Sequence, residues 1–185
     1  MGVVIDIIGS FIVRASIVAI LLTMIVNLHD ALYRNTDRAA LATLMEAPQT
    51  TIESDLKMAG YNASTTFDEA KSDHMRFYAD IDNDGSSDQI DYKTSSPDAD
   101  GHMILTRKVN GVSMELARDV TNFTLTYYDV YGNQISYGGS TTGIKSIYVQ
   151  IVIESATAVS GLLDGSSDNS RNKVSWEEQI FPKNL

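Results

Sequence analysis

Residues 3–28 read VVIDIIGSFIVRASIVAILLTMIVNL, an almost wholly apolar run that restricts how the rest of the chain can fold. A helix that is hydrophobic on every side has to be surrounded by lipid or by other apolar helices, because it has no polar face to turn to water. At helical rise the run is about 39 Å long, enough to cross a bilayer. It does not read as a secretory signal peptide: Asp6 rather than Lys or Arg precedes the apolar core, the run is too long, and no small-residue cleavage site follows. The segment is expected to stay in the protein. The helical pattern continues through HDALYRNTDRAALATLME, with Leu32, Ala39, Ala40 and Leu44 spaced for one face, until Pro48 interrupts it. The expected organisation is a long apolar helix over 1–47, a short helix and connector over 48–61, and a globular head over 62–185.

Asp6 and Arg14 lie inside the apolar run, where an ionised side chain is costly unless it is paired or hydrated. They are eight residues apart (14 − 6 = 8), or about 12 Å of helical rise, so they meet poorly within one straight helix. Either each finds a partner on another subunit, Asp6 with a neighbour's amino terminus or its Arg14, or both snorkel toward head groups. Snorkelling suits Asp6 better than Arg14. Gly9, Ser10, Ala15, Ser16 and Ala19 would let helices approach closely. Arg34, Arg38 and Lys57 all follow the run, a bias that on its own would leave the head in the cytoplasm.

The 185 residues suit one modest domain plus an appendage, and 43% hydrophobic against 21% charged residues is the balance of a folding chain. A formal net charge of −10 argues against nucleic-acid binding, which needs clustered Lys and Arg. With no cysteine, the chain has neither disulfides nor thiolate chemistry. After Pro48, Thr50 or Thr51 can cap a short helix that Gly60 ends in a left-handed conformation. Strands are expected over 74–79, 89–93, 102–109, 112–117, 123–131, 144–154 and 174–181, where β-branched and aromatic runs alternate with turn residues. The clearest has Ile147, Val149, Ile151 and Ile153 alternating with Tyr148, Gln150 and Val152. The polar stretch DGSSDNSRN reads as a mobile loop. The fold class is α+β, with a long N-terminal helix and a mainly antiparallel β-sheet head.

Residues 80–91, DIDNDGSSDQID, place acids at the first, third, fifth, ninth and twelfth positions of a calcium loop: Asp80, Asp82, Asp84, Asp88 and Asp91. Gly85 stands at the sixth and Ser86 would offer its backbone carbonyl. A hard cation needs such a set, since it takes six to eight oxygens and a tight loop turns alternate residues inward. Asp91 is shorter than the usual Glu, so weaker binding or help from Asp98 and Asp100 is expected. The flanks read as strands, which excludes a helix-loop-helix hand. The alternative is a solvated hairpin turn built of ordinary turn residues; the spacing favours a structural calcium ion.

His29, His74 and His102 lie in no ligand spacing and read as incidental, and no nucleophile, phosphate-loop or dinucleotide motif is present, so catalysis is not expected. Trp176 and the tyrosines of TLTYYDVYGNQISY read as core or strand-face residues, and the Asn62-Ala-Ser and Asn122-Phe-Thr triplets as chance acceptor patterns.

The order of these features resembles the type IV pilin superfamily, especially its larger minor pilins and the pseudopilins of type II secretion. The resemblance is carried by an apolar helix with an acid near its start, then ESDLKMAGYN with Asp55, Leu56, Ala59, Gly60 and Tyr61. FYADIDNDGSSDQIDY, MILTRKVNGVSMELARDVTNFTLTYYDVYGN and the closing IFPKNL are similar to the family's acidic loop, hairpin with long strand, and terminal strand. The start departs from the family, reading MGVVID in place of the leader cleavage followed by Phe-Thr-Leu-Ile-Glu. If only Met1 were removed, Asp6 would become the fifth residue, where the family keeps its glutamate; a cut after Gly2 would make it fourth. The family's proline within the apolar segment is also missing, so a continuous helix is expected. The resemblance implies insertion in the inner membrane, then assembly as a homo-oligomeric or mixed helical filament outside the cell, with Asp6, Gly9, Ser10 and Arg14 at helix contacts. A monomeric membrane-anchored module that binds calcium or contacts a wall polymer is the other class the sequence allows.

Overall fold

The computed structural model describes residues 2–138, 141–155 and 171–185, with side chains from residue 6 onward. Most of the polar stretch DGSSDNSRN lies outside the described residues. The architecture is α+β: one helix, α1 (Gly2–Met58), and an antiparallel sheet of β1 (Phe67–Ala70), β2 (His74–Ala79), β3 (Asp88–Thr94), β4 (Met103–Val109), β5 (Val112–Tyr128), β6 (Gln134–Ile135), β7 (Ser146–Glu154) and β8 (Lys173–Ile180). The strands lie in the order β1-β2-β3-β4-β5-β7-β8, and β6 pairs on the side of β5.

At 57 residues α1 is about 85 Å long, and its two halves meet different surroundings. Ile7, Phe11, Ile12, Val18, Leu21 and Leu22 are exposed, as are their neighbours on every side of the helix. Farther along, Leu41, Met45, Pro48, Ile52, Leu56 and Ala59 recur every three or four residues and are buried against the sheet, chiefly over β8.

The expected interruption at Pro48 does not occur: the helix runs through it. Proline in a helix interior costs about 3 kcal/mol, for a lost hydrogen bond and a clash with the carbonyl four residues earlier. That carbonyl belongs to Leu44, on the solvent side of the helix, while the proline ring lies in the buried stripe. Burying Leu41, Met45, Ile52 and Leu56 contributes about 1.5–3 kcal/mol each, which outweighs the penalty. Thr51 caps nothing; its Oγ1 donates to the Ala47 carbonyl at 2.8 Å, as hydroxyls do inside helices. Gly60 does end the helix, at φ 84°, and a Cβ there would stand 2.9 Å from the Asn184 carbonyl oxygen. Conformation and space both require glycine.

The helix is locked to the sheet by Asp55. Its Oδ2 accepts from Tyr92 Oη at 2.5 Å and Arg107 Nε at 2.7 Å, and its Oδ1 accepts from Arg107 Nη2 at 3.0 Å. This fork joins α1 to β3 and β4. Burial, and then the neighbouring Asp55 carboxylate, push the Tyr92 hydroxyl's pKa well above its ordinary value.

β5 is one strand where two were expected. Asp119 adopts φ 53° and the register slips near it, so β4 pairs with the first half of β5 and β7 with the second. On the edge that β4 leaves free, Leu125 N donates to the Ser72 carbonyl at 2.8 Å and curls the sheet. The alternation expected in β7 is present: Ile147, Val149, Ile151 and Ile153 are buried. Trp176 packs at the margin of the core, and Tyr127 lies within it. β1 was not expected, because Phe-Asp-Glu-Ala is short and charged and shows no apolar alternation.

Replacing Asp55 with Ala should destabilise the head by about 3–5 kcal/mol, since Arg107 is left as an unpaired, largely buried cation. Chemical denaturation of the detergent-solubilised chain, followed by Trp176 fluorescence, measures this; a loss below about 1 kcal/mol would mean that the pair is no more than a surface contact.

Candidate metal site at the hairpin tip

The turn between β2 and β3 carries the acidic loop. Asp80 follows the last residue of β2 and Asp88 opens β3, opposite Ala79. Left-handed Asn83 (φ 60°) and Gly85 (φ 93°) fold the intervening backbone back over Asp80. Asp80 is fully buried: its Oδ1 accepts from Asp84 N at 3.0 Å, and its Oδ2 from Gly85 N at 3.0 Å and Asn62 Nδ2 at 2.9 Å. These bonds, the Asn62 amide foremost, hold the Asp80 carboxyl below the usual carboxylate range. Asp88 is buried too, accepting from Ile81 N at 3.1 Å and Asn110 Nδ2 at 2.6 Å. Exposed Asp82 accepts, among the described residues, only from Asp84 N, at 3.2 Å.

Carboxylate oxygens of Asp80, Asp82 and Asp88 lie within 4.8 Å of one another. Oxygens across a calcium ion are separated by about 4.6–5.2 Å, twice the usual bond length, so the spacing suits an ion of that size. The cluster can hold a metal ion. Its hydrogen-bond partners are backbone N–H groups and the neutral amides of Asn62 and Asn110, so among the described residues no positive side chain offsets it.

The other expected carboxylates are not gathered there. Asp84 turns its carboxylate to Ser86 N at 2.7 Å. Asp91 is corrected outright: side chains alternate across a strand, so Asp88, Ile90 and Tyr92 face inward while Asp91 faces the opposite side. There it accepts from His74 Nε2 at 3.0 Å and Arg76 Nε at 3.0 Å. Asp98 folds onto its own turn, accepting from Asp100 N and His102 N, and Asp100 approaches Arg171.

Two of the histidines are not incidental. His74 bridges Glu69 and Asp91, and His102 sits between Asp119 and Glu154 with Arg171 Nη1 2.9 Å from its Nε2. Except for Glu69, five residues from His74, these partners lie 17 or more residues away in sequence, beyond what a local spacing motif spans. Beside His102, Asp37 of the helix accepts from Ser155 Oγ at 3.0 Å and Asn172 Nδ2 at 2.7 Å, fixing the helix where it leaves the head.

The expected assembly residues Asp6, Gly9, Ser10 and Arg14 all lie on the exposed half of α1. Ser10 Oγ returns to the Ile7 carbonyl at 3.2 Å, and space around Gly9 is open. By length and composition α1 can cross a membrane, so the chain is compatible with membrane insertion. No protein-family model matches the chain, and no curated protein matches it.

A group whose pKa is lowered on folding stabilises the fold above its unfolded value, and the contribution disappears as pH falls through the folded value. The Asp80 carboxyl is held below the ordinary aspartate value, so its contribution should be intact at neutral pH and lost only in strong acid. Asp80→Asn should lower the denaturation midpoint at pH 7 and flatten the decline below about pH 4; equal acid slopes in both proteins would refute this role.

Proposed function

We propose that the chain is a structural subunit of an extracellular, type IV pilus-like filament, inserted in the inner membrane before assembly and held in the filament by its N-terminal helices. The observation that carries this reading is the division of α1: its first half is apolar and exposed on every side, while its second half is bound into the head. An apolar rod rigidly joined to a polar head is the shape that packs rod to rod with heads outward. Asp6 and Arg14 make no ion pair among the described residues of their own chain. Each ion in hydrocarbon costs about 2.5–3.5 kcal/mol on insertion scales, a cost that pairing between neighbouring helices would offset. The resemblance of ESDLKMAGYN and of the acidic hairpin to pilin sequences points the same way.

The acidic cluster favours a second reading, a monomeric membrane-anchored module that binds calcium or serves adhesion. The proposed ion is calcium in a structural role, held by Asp80, Asp82 and Asp88, because an all-oxygen carboxylate set suits a hard cation. Electron microscopy of purified full-length chain separates the readings: fibres support the filament, dispersed particles the anchored module. If helix packing neutralises Asp6, Asp6→Lys should abolish the fibres while leaving the head's thermal midpoint unchanged; intact fibres would eliminate that pairing.

Calcium should raise the thermal midpoint of the detergent-solubilised chain, by the equivalent of about 2.7 kcal/mol at a hundredfold excess over Kd. Asp82→Asn should abolish the rise while changing metal-free stability by less than about 0.5 kcal/mol, as an exposed substitution does. A midpoint indifferent to calcium would rule the ion out.

A further inference from the structure

On the face of the sheet turned away from α1, β2, β3, β4 and the start of β5 form a shallow groove of about 420 Å³ lined by Arg76, Asp91, Lys93, Thr106, Lys108 and Ser113, among others. Strand register sets two rows across this face: Arg76, Asp91, Lys108 and Ser113 in one, His74, Lys93, Thr106 and Glu115 in the next, with Glu115 held by Arg118. Arg76 is engaged by Asp91, Asp68 and Glu69. Lys93 and Lys108 are exposed, and among the described residues neither has an ion-pair partner. The groove is therefore positively charged, in a chain whose net charge is −10.

The complementary feature is on the same hairpin. Asp82 and Asp84 are exposed at the β2–β3 tip, and among the described residues their carboxylates meet only backbone N–H groups. The tip does not reach back into its own groove: along rigid strands the Ala79–Asp88 pair stands about 10 Å from the Arg76–Asp91 row and about 17 Å from the His74–Lys93 row, and the tip extends the other way. Both surfaces carry charges that no side chain among the described residues pairs.

We propose that the groove is a docking site for the acidic β2–β3 tip of a second, metal-free copy of this chain, with Lys93 and Lys108 receiving Asp82 and Asp84; calcium held at Asp82 competes with this contact. The two surfaces differ, so the contact is heterologous: each copy offers a tip to one neighbour and a groove to another, and the pairing continues from copy to copy. This deepens the filament reading, on which it rests for bringing heads side by side. Exposed charge pairs are screened by salt, so the contact weakens as ionic strength rises.

The chain has no cysteine, so engineered thiols report the contact without background. Full-length chain carrying Ser86→Cys is mixed in detergent with chain carrying Ser113→Cys and treated with a short bismaleimide. A cross-linked dimer should form far more in the mixture than in either sample alone, and its yield should fall with added salt. Lys93→Glu with Lys108→Glu on the Ser113→Cys chain should reduce the yield about tenfold. Asp82→Lys with Asp84→Lys on the other chain should restore it. No mixed dimer, or a yield indifferent to these reversals, would overturn the proposal. It would equally be overturned if heparin retained the wild-type chain but not the lysine variant while no dimer formed, since the groove would then serve an anionic polymer. Electron microscopy of the same preparations keeps the two readings apart. Fibres without the cross-link leave the filament standing and remove the docking; a charge-dependent cross-link without fibres does the reverse.

Discussion

The carboxylate of Asp55 is where the helix and the sheet become one body. An ion buried between them is tolerable only because Arg107 meets it with two N–H groups and Tyr92 adds a third donor. Those groups come from two strands, so the bond fixes rotation and height of the helix together. Non-directional packing along Leu41, Met45, Ile52 and Leu56 could slide by a turn with little loss, whereas a fork of hydrogen bonds cannot. The direction in which the apolar half leaves the head, set also by Asp37 against Ser155 and Asn172, follows from that register.

Much of the fold was legible because period and composition speak locally. The apolar run, the alternation in β7 and the glycine at the helix end each settle their own conformation whatever lies elsewhere. Pro48 misled for the opposite reason: its local penalty is real, but the buried stripe around it is stabilised by strands far away in sequence. The merging of two expected strands into β5 likewise turns on a left-handed Asp119, an ordinary-looking residue in the sequence.

The acidic loop shows where spacing stops being informative. Its first, third and ninth positions converge because the turn geometry gathers them. The twelfth falls inside a strand, and strand alternation sends Asp91 to the far face, where His74 and Arg76 claim it. A loop template fitted to helical flanks cannot transfer its last ligand to a hairpin. The charged groups of the outer face also stayed hidden, since neighbours across a sheet are separated by whole strands in the sequence.

The packing of α1 over β8 bears on how the protein is made. The apolar stripe of the helix leaves the ribosome early, but its principal cover is synthesised more than a hundred residues later. Throughout that interval the stripe is open to any greasy neighbour, and closure waits on a long-range encounter of the kind that slows maturation. A first half already lodged in lipid would tether the nascent head, keeping the waiting surface apart from its counterparts on other unfinished chains.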